Sequence, residues 1–543
     1  MERAEQVGLG LDFGTESVRA VLVDLQGRQR ASAVVDFEHG QITDTLPGTG
    51  EKLPPDFALQ HPNDWIESAY AAVREALGSS GLPPASVVGI GVDFTSCTML
   101  PTLADATPLC LLDSLAAEKF AWPKLWKHHG AKSQTERINA LALQRRETWL
   151  QRYGGTIGLE WFFPKVLETL DAAPHVYDAA EVWLEAGDWF VWRLVGGNAA
   201  TLPRSTCQAG YKAMWHHADG FPSPEFFAAL HPKLEQVVSE KMPGRFLAPG
   251  ECAGGLCDEI AGRMGLASGL PVSAAIIDAH SGVPGAGAAE PGTLVMVLGT
   301  SSCHMLNARD ERNVPGVAGV VEGGILPGLF GYETGQAAVG DAFDWLRRTV
   351  GHADFDELTR LAGALTPGAE GVTCLDWLNG CRTPLMDGGL SGAFVGLTLN
   401  HGPQHMYRAL MEASAYGVKW IVDIFRDNDV PVERLVATGG LPHHNPLLVQ
   451  IYADVLGLEI TIHPSQQGPA LGAAILGVLA ADPEHRLFSS TSEAIGAMAG
   501  GDADSADSRG KIVAPDTGAH HEYDKLYRRY RKLADIMADH PLS

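Results

Sequence analysis

The pattern Gly-Thr-x-Ser occurs at Gly14-Thr15-Glu16-Ser17 and again at Gly299-Thr300-Ser301-Ser302, each time between two short apolar runs. Val7 to Phe13 and Val18 to Asp24 flank the first copy; Thr293 to Leu298 and Cys303 to Leu306 flank the second. A third run, Ala31 to Phe37, follows a turn at Gln26-Gly27, so the chain opens as a β-meander with polar residues at its first corner. Recurrence in the second half constrains the fold to a duplication. Backbone N–H groups of such tight corners converge into an anion-binding nest, and the hydroxyls add donors. Two corners facing across a cleft would grip a polyphosphate from both sides.

The length, 543 residues, also exceeds what one hydrophobic core serves. The Gly/Pro/Ala-rich stretch from Ser281 to Gly292 is the expected boundary and hinge, giving domains 1–284 and 285–543 with a cleft between them. Trp65, Ala69, Val73 and Leu77 recur every four residues after Pro62-Asn63-Asp64, as in an amphipathic helix. Val87 to Val92 is an apolar strand ending at Asp93-Phe94-Thr95-Ser96, Val272 to Ile277 is one ending in Asp278, and Leu435 to Thr438 ends in Gly439-Gly440. Strand ends of this composition are where open α/β sheets hold ligands. Ala499 to Ser505 reads as a polar linker to a last helix with Tyr523, Leu526, Tyr530 and Leu533 on one face. The basic run Arg528 to Lys532 on that helix reads as a solvated face.

With 65 Asp and Glu against 40 Lys and Arg, the net charge is -25, a field that repels nucleic acid and anionic membrane surfaces. The 8 cysteines are scattered without a C-x-x-C pair, and the N-terminus carries acids where a signal peptide needs a basic and then apolar run. The expectation is reduced thiols in a cytoplasm, with no targeting or transmembrane segment. There is no Walker phosphate loop, no H-E-x-x-H and no nucleophile elbow, and Gly8-Leu9-Gly10 precedes the turn instead of following a strand as a dinucleotide fingerprint does. The pairs His128-His129 and His216-His217 read as surface or hydrogen-bonding histidines, not as metal ligands.

Several segments go further in combination. They are Leu11-Asp12-Phe13-Gly14-Thr15-Glu16-Ser17, Leu298 to Ser302, Gly392 to Leu397, and Ala437-Thr438-Gly439-Gly440 followed by Asn445-Pro446-Leu447-Leu448. Together with Asp93 to Thr98, Leu125 to His129, Gly210 to Ala213, Ile277 to His280 and Tyr332 to Gln336, in that order, they resemble the FGGY carbohydrate kinases, and within them the ribulokinase branch. The likeness runs from about Val7 to Leu533. It implies an α/β fold of two ribonuclease-H-like domains of the actin/hexokinase type, with the catalytic cleft between them. It also implies phosphorylation of a ketopentose, L-ribulose first, at its C5 hydroxyl, with ATP and Mg²⁺ as cofactors. The expected partners are these small molecules, and the expected assembly, if any, is a homodimer.

By that resemblance Asp278 matches the catalytic base, with a helix- or turn-capping aspartate as its alternative. Asp12 suits a hydrated Mg²⁺ on the phosphates, since a hard cation prefers carboxylate and water oxygens. Lys212 and Glu333 resemble the charged pair used on the ketose, and are otherwise a salt bridge; Ser96 and Trp126 complete the pocket as hydroxyl and apolar wall. Gly14, Thr15, Ser17, Gly299 and Thr300 belong to the phosphate corners, and Gly340 and Gly440 with His444 or Asn445 border the nucleotide. Two rival readings remain. One is a kinase for xylulose or ribitol. The other is an actin-like nucleotide-gated binding protein, which would leave Lys212 and Glu333 exposed away from the cleft.

Overall fold

The structure, a computed structural model, describes residues 5–351, 354–465, 467–500 and 510–539. Most of the expected linker, Gly501 to Ser505, lies outside the described residues. Large residues and glycines alternate in β1 (Val7–Phe13), so that Val7, Leu9, Leu11 and Phe13 are buried on one face and Gly8 and Gly10 lie on the other. With β2 (Ser17–Asp24) and β3 (Gln29–Asp36) it forms the antiparallel meander. Helix α1 (Pro62–Ser80) covers the meander and buries Trp65, Ala69, Val73 and Leu77. The chain then returns in parallel beside β1 as β4 (Val87–Phe94).

After helix α2 (Thr206–Lys212), β5 (Cys252–Gly255), β6 (Pro271–Ser273) and β7 (Ile276–Ile277) complete a seven-stranded sheet in the order β3-β2-β1-β4-β6-β5, with β7 also on β4. The strand expected over Val272 to Ile277 is therefore two pieces. Ala274 N–H bonds to the carbonyl of Glu251 at 3.0 Å and the carbonyl of Ala275 accepts from the Ser205 hydroxyl at 2.5 Å, which takes both residues out of the ladder. Helix α3 (Asp278–Gly285) follows directly.

The second half repeats the plan. It contains β8 (Thr293–Leu298), β9 (Ser302–Ala308), β10 (Gly319–Glu322), β11 (Phe330–Gln336), β12 (Arg434–Thr438), β13 (Ile460–Ile462) and β14 (Lys511–Val513). They are ordered β10-β11-β9-β8-β12-β13-β14. In both sheets a Gly-Thr-x-Ser corner joins an antiparallel pair, β1–β2 or β8–β9, and the first strand of that pair takes a parallel neighbour, β4 or β12, on its other side. The helices that matter for the site are α4 (Gly340–Thr349), α5 (Pro403–Asp427), α6 (Gly440–His444), α7 (Pro446–Leu456), α8 (Gly468–Ala481) and the terminal α9 (Thr517–Asp539).

Helix α8 comes from the second half but packs on β1 and β4 of the first sheet and on α3. Its approach is at backbone distance. A Cβ on Gly10 would lie 2.1 Å from the carbonyl oxygen of Ala470, and one on Gly472 would lie 1.8 Å from that of Ser281. The glycines of β1 are thus packing residues, and the stretch read as an open hinge from Ser281 is helical and buried as far as Gly285. Its small residues serve close helix contact instead of a loop. The basic run of α9 is only partly solvated, because Arg531 stacks 3.8 Å above the Trp420 ring while Tyr527 and Tyr530 are buried beside it. Among the described residues no helix is long and apolar enough to cross a membrane, and the eight cysteines are free thiols.

Candidate active site

Three carboxylates meet at the carboxyl ends of neighbouring parallel strands. Asp12 of β1 is directly opposite Asp93 of β4, and Ile277 opposite Phe94 sets Asp278 one residue beyond, at the start of α3. Burial pushes Asp278 up to about 7, although its Oδ1 accepts the Ala279 N–H at 2.7 Å, and the charges of Asp12, Lys212 and Glu333 all act on it. Asp12 is raised by burial as well, against the pull of Asp93 and of Arg19, which pairs with it at 3.3 Å. Asp93 is held well above the usual carboxylate range by full burial and by the charges of Asp12 and Asp278. No donor among the described residues serves either oxygen of Asp93. A carboxylate with no donor on either oxygen, facing a second carboxylate that holds only Arg19, is a donor set for a divalent cation that keeps some of its water.

Both corners are closed by a bond from the N–H of their glycine, to a carbonyl three residues on in the first and two residues on in the second. Gly14 N–H bonds to the carbonyl of Ser17 and Gly299 N–H to that of Ser301, each at 3.0 Å. Thr15 and Glu16, like Thr300 and Ser301, offer their N–H groups to no acceptor among the described residues, which leaves two small nests for anionic oxygens. The second corner is braced from below: Gly340 N–H donates to Gly299 and Asp341 N–H to Thr300, at 3.0 and 3.2 Å. Gly439, at φ 92°, passes under Leu298 where a Cβ would sit 2.5 Å from its carbonyl oxygen. Gly440 then opens α6. His444 is exposed at the end of α6, whereas Asn445 is buried, caps α7 through the Leu448 N–H at 3.0 Å, and donates to the Tyr407 hydroxyl at 3.2 Å. The carboxamide of Asn445 is thus engaged within the fold on both sides.

Of the remaining predicted residues, Ser96, Trp126 and Lys212 lie on the first-half side and Glu333 on the second. Trp126 is half-exposed, with Nε1 donating to the Thr15 hydroxyl at 3.1 Å, and Ser96 is half-buried beyond β4. Behind them sits a residue the sequence reading passed over. Lys165, fully buried and lowered to about 8 by that burial, donates to the carbonyls of Cys97 at 2.6 Å and Leu125 at 2.9 Å. It therefore ties the segment of Ser96 to that of Trp126. Lys212 and Glu333 are buried, at 5% and 3% exposure, and meet across the two halves at 2.8 Å. That is the opposite of the exposed placement an actin-like binding protein requires. Arg382 adds a second cation to Glu333, and the neutral imidazole of His280, kept down at about 4 by burial, stands 3.5 Å away. A cavity of about 460 Å³ opens beside Lys212, Arg382 and Trp161. Of the paired histidines, His128 hydrogen-bonds Glu168 at 2.8 Å, whereas His216 and His217 stand with Glu311 in a group whose ligand atoms all lie within 4.8 Å of one another.

Residues 7–285 match the N-terminal domain, and residues 294–481 the C-terminal domain, described as those of the FGGY family of carbohydrate kinases. The chain belongs to the FGGY family. It is a sugar kinase, a phosphotransferase, of the actin/hexokinase-like fold. It is 44% identical to the ribulokinase of Bacillus licheniformis over 95% of this chain and 94% of that one, and 44% identical to that of Geobacillus thermodenitrificans over 97% and 94%. The ribulokinase of Mycolicibacterium smegmatis is 45% identical over 87% of this chain and 85% of its own. Among solved structures, xylulose kinase from Rhodospirillum rubrum superposes with a TM-score of 0.79 at 22% identity, covering 98% and 99% of the two chains. Plasmodium falciparum glycerol kinase with ADP gives 0.76 at 15%, covering 97% and 98%. At these identities the likeness is one of fold.

Three residues of the candidate site are not among those the sequence assigns a role. Asp93 is legible as a strand-end aspartate, but its place opposite Asp12 is a signal that register alone supplies. Lys165 sits in the apolar run Phe162 to Leu167, and a lysine so placed is a signal in itself. Arg382 carries no local signal.

Proposed function

We propose that this kinase transfers the γ-phosphoryl group of ATP to the C5 hydroxyl of L-ribulose, and also of D-ribulose, giving ribulose 5-phosphate in L-arabinose breakdown. The observation that carries the sugar assignment is likeness to ribulokinases at 44% identity over nearly the full length of both chains. The eight free thiols suit a reducing cytoplasm.

In this reading the ketose lies between Trp126, Ser96 and the Lys212–Glu333 pair, with its C5 hydroxyl toward Asp278. Asp278 takes the hydroxyl proton as that oxygen bonds to the γ-phosphorus and the bond from phosphorus to the β-phosphate oxygen breaks, releasing ADP. A base whose ionisation lies at about 7 is matched to this work near neutral pH. The phosphate oxygens bind at the corners Gly14-Thr15-Glu16-Ser17 and Gly299-Thr300-Ser301, through the N–H groups of Thr15, Glu16, Thr300 and Ser301, and Gly340, Gly440 and His444 border the nucleotide. Of the two alternatives at the last position His444 is favoured, since Asn445 already caps α7. Asp12 and Asp93 would hold a hydrated Mg²⁺, which would supply charge neutralisation on the phosphates. The test is a coupled ADP-release assay across ketopentoses, aldopentoses, polyols and glycerol. Ribulose gives the highest kcat/KM and EDTA abolishes turnover; preference for xylulose, a polyol or glycerol, or full turnover in EDTA, overturns the assignment.

A further inference from the structure

We infer that Arg382 is a positioning residue for ketose binding, holding the buried charge of Glu333 in place while Lys212 turns to the sugar. The inference rests on the ribulose-kinase reading above. Its starting point is a mismatch of numbers: one carboxylate, two cations. Glu333 accepts from Lys212 on both oxygens, at 3.0 and 2.8 Å, and from the guanidinium of Arg382 on Oε1. A buried carboxylate cannot give up its sole cation without heavy cost. If Lys212 were alone, its ammonium would be locked onto Glu333 and unavailable to a ketose oxygen. With Arg382 in place, Lys212 is free to be shared.

Arg382 is built to stay behind. It belongs to the segment linking strand Thr373–Leu375 to strand Ala393–Val395, and that segment is fastened to β11 two residues from Glu333. Thr383 N–H donates to the carbonyl of Gly335 at 3.1 Å, and Gly335 N–H returns a bond to the Thr383 hydroxyl at 3.3 Å. The guanidinium lies over Gly335, where a Cβ would come within 3.1 Å of Nη1, and Nη1 reaches Cys303 Sγ at 3.6 Å. A planar fork pinned at several points suits a standing counter-charge. Lys212, on a flexible stem with its ammonium 5.5 Å from the Trp161 ring centroid, suits a moving one. The groups facing Glu333 are Cys207, Tyr211 and Lys212 from α2, His280 and Asp278 from α3, and Arg382. Lys212 and then Arg382 outweigh the opposing effect of burial and keep Glu333 at about 2.

The experiment compares wild type with Arg382→Gln, Arg382→Lys and Lys212→Ala in steady-state kinetics from pH 5 to 9, with melting curves to establish folding. Arg382→Gln raises the ribulose KM at least tenfold and leaves the ATP KM and kcat within threefold. Arg382→Lys recovers most of the loss. In a Glu333→Gln background, where no charge needs holding, the Arg382→Gln change adds less than twofold. An unchanged ribulose KM in Arg382→Gln, or a full tenfold loss in the Glu333→Gln background, overturns the inference. If Lys212→Ala also leaves the ribulose KM unchanged, the sugar-site reading itself falls; if Lys212→Ala raises it and Arg382→Gln does not, only the role of Arg382 falls.

Discussion

The indole Nε1 of Trp126 donates to the hydroxyl of Thr15 at 3.1 Å, joining a wall of the proposed sugar pocket to the first phosphate corner. Gln60 holds the same corner from the other side, donating to the Thr15 carbonyl at 2.8 Å. Trp126→Phe keeps the apolar wall and removes one neutral hydrogen bond, worth about 0.5–1.5 kcal/mol, or roughly two- to tenfold in affinity. The expected outcome is a rise of that size in the KM of both ribulose and ATP. Steady-state kinetics with each substrate varied in turn checks it, and a rise confined to ribulose removes the link.

Lys212→Ala and Glu333→Ala both weaken ribulose, by roughly tenfold to more than a hundredfold for a lost charged hydrogen bond, while ATP binding stays nearly intact. Their stabilities diverge. Lys212→Ala leaves Glu333 paired with Arg382, whereas Glu333→Ala leaves two cations facing each other without an anion. Glu333→Ala therefore melts at the lower temperature. Calorimetry on both variants decides the order.

Lys165→Met removes the buried ammonium that bridges the carbonyls of Cys97 and Leu125. The carbonyl of Leu125 keeps the His128 N–H at 2.9 Å, but that of Cys97 loses its donor at a cost of about 1–3 kcal/mol, and the segments of Ser96 and Trp126 lose their common anchor. The expectation is a lower urea midpoint together with a severalfold higher ribulose KM and an unchanged ATP KM. A stability loss with both KM values intact confines Lys165 to the fold.

Much of this architecture is readable from residues alone, for a physical reason. The alternation of Leu and Phe with Gly in β1 sets one face for the core, and the Gly-Thr-x-Ser corners announce themselves by composition at both positions. Helix α3 is not readable, because Gly282, Pro284 and Gly285 have poor helix propensity; what makes the segment helical is contact with α8, where only glycine admits the neighbouring backbone. The split between β6 and β7 depends on hydrogen bonds to Glu251 and Ser205, far off in sequence. Within the site, the carboxylate at a strand end was visible at Asp12 and Asp278, but the facing of Asp12 and Asp93 is a matter of strand register. The choice between His444 and Asn445 turns on which of them caps α7, a difference of one residue in a helix boundary.

The pH dependence follows from Asp278. Its carboxyl is pushed up to about 7 by burial, so as the accepting base it is ionised only above that value, and kcat rises with pH through about 7. The same shift bears on stability. The folded state favours the neutral acid, so wild type loses stability relative to a permanently neutral side chain as pH rises through about 7.

Asp278→Asn, measured for kcat with ribulose at pH 8, is the most direct test of the account. Asparagine keeps the shape and one acceptor oxygen but cannot take the proton, so kcat falls by about 10² to 10⁴, with both KM values within a few fold and a melting temperature equal to or above wild type. A kcat within about fivefold of wild type, short of the range general bases supply, together with a lowered melting temperature, would contradict it and leave Asp278 as a residue of the helix start.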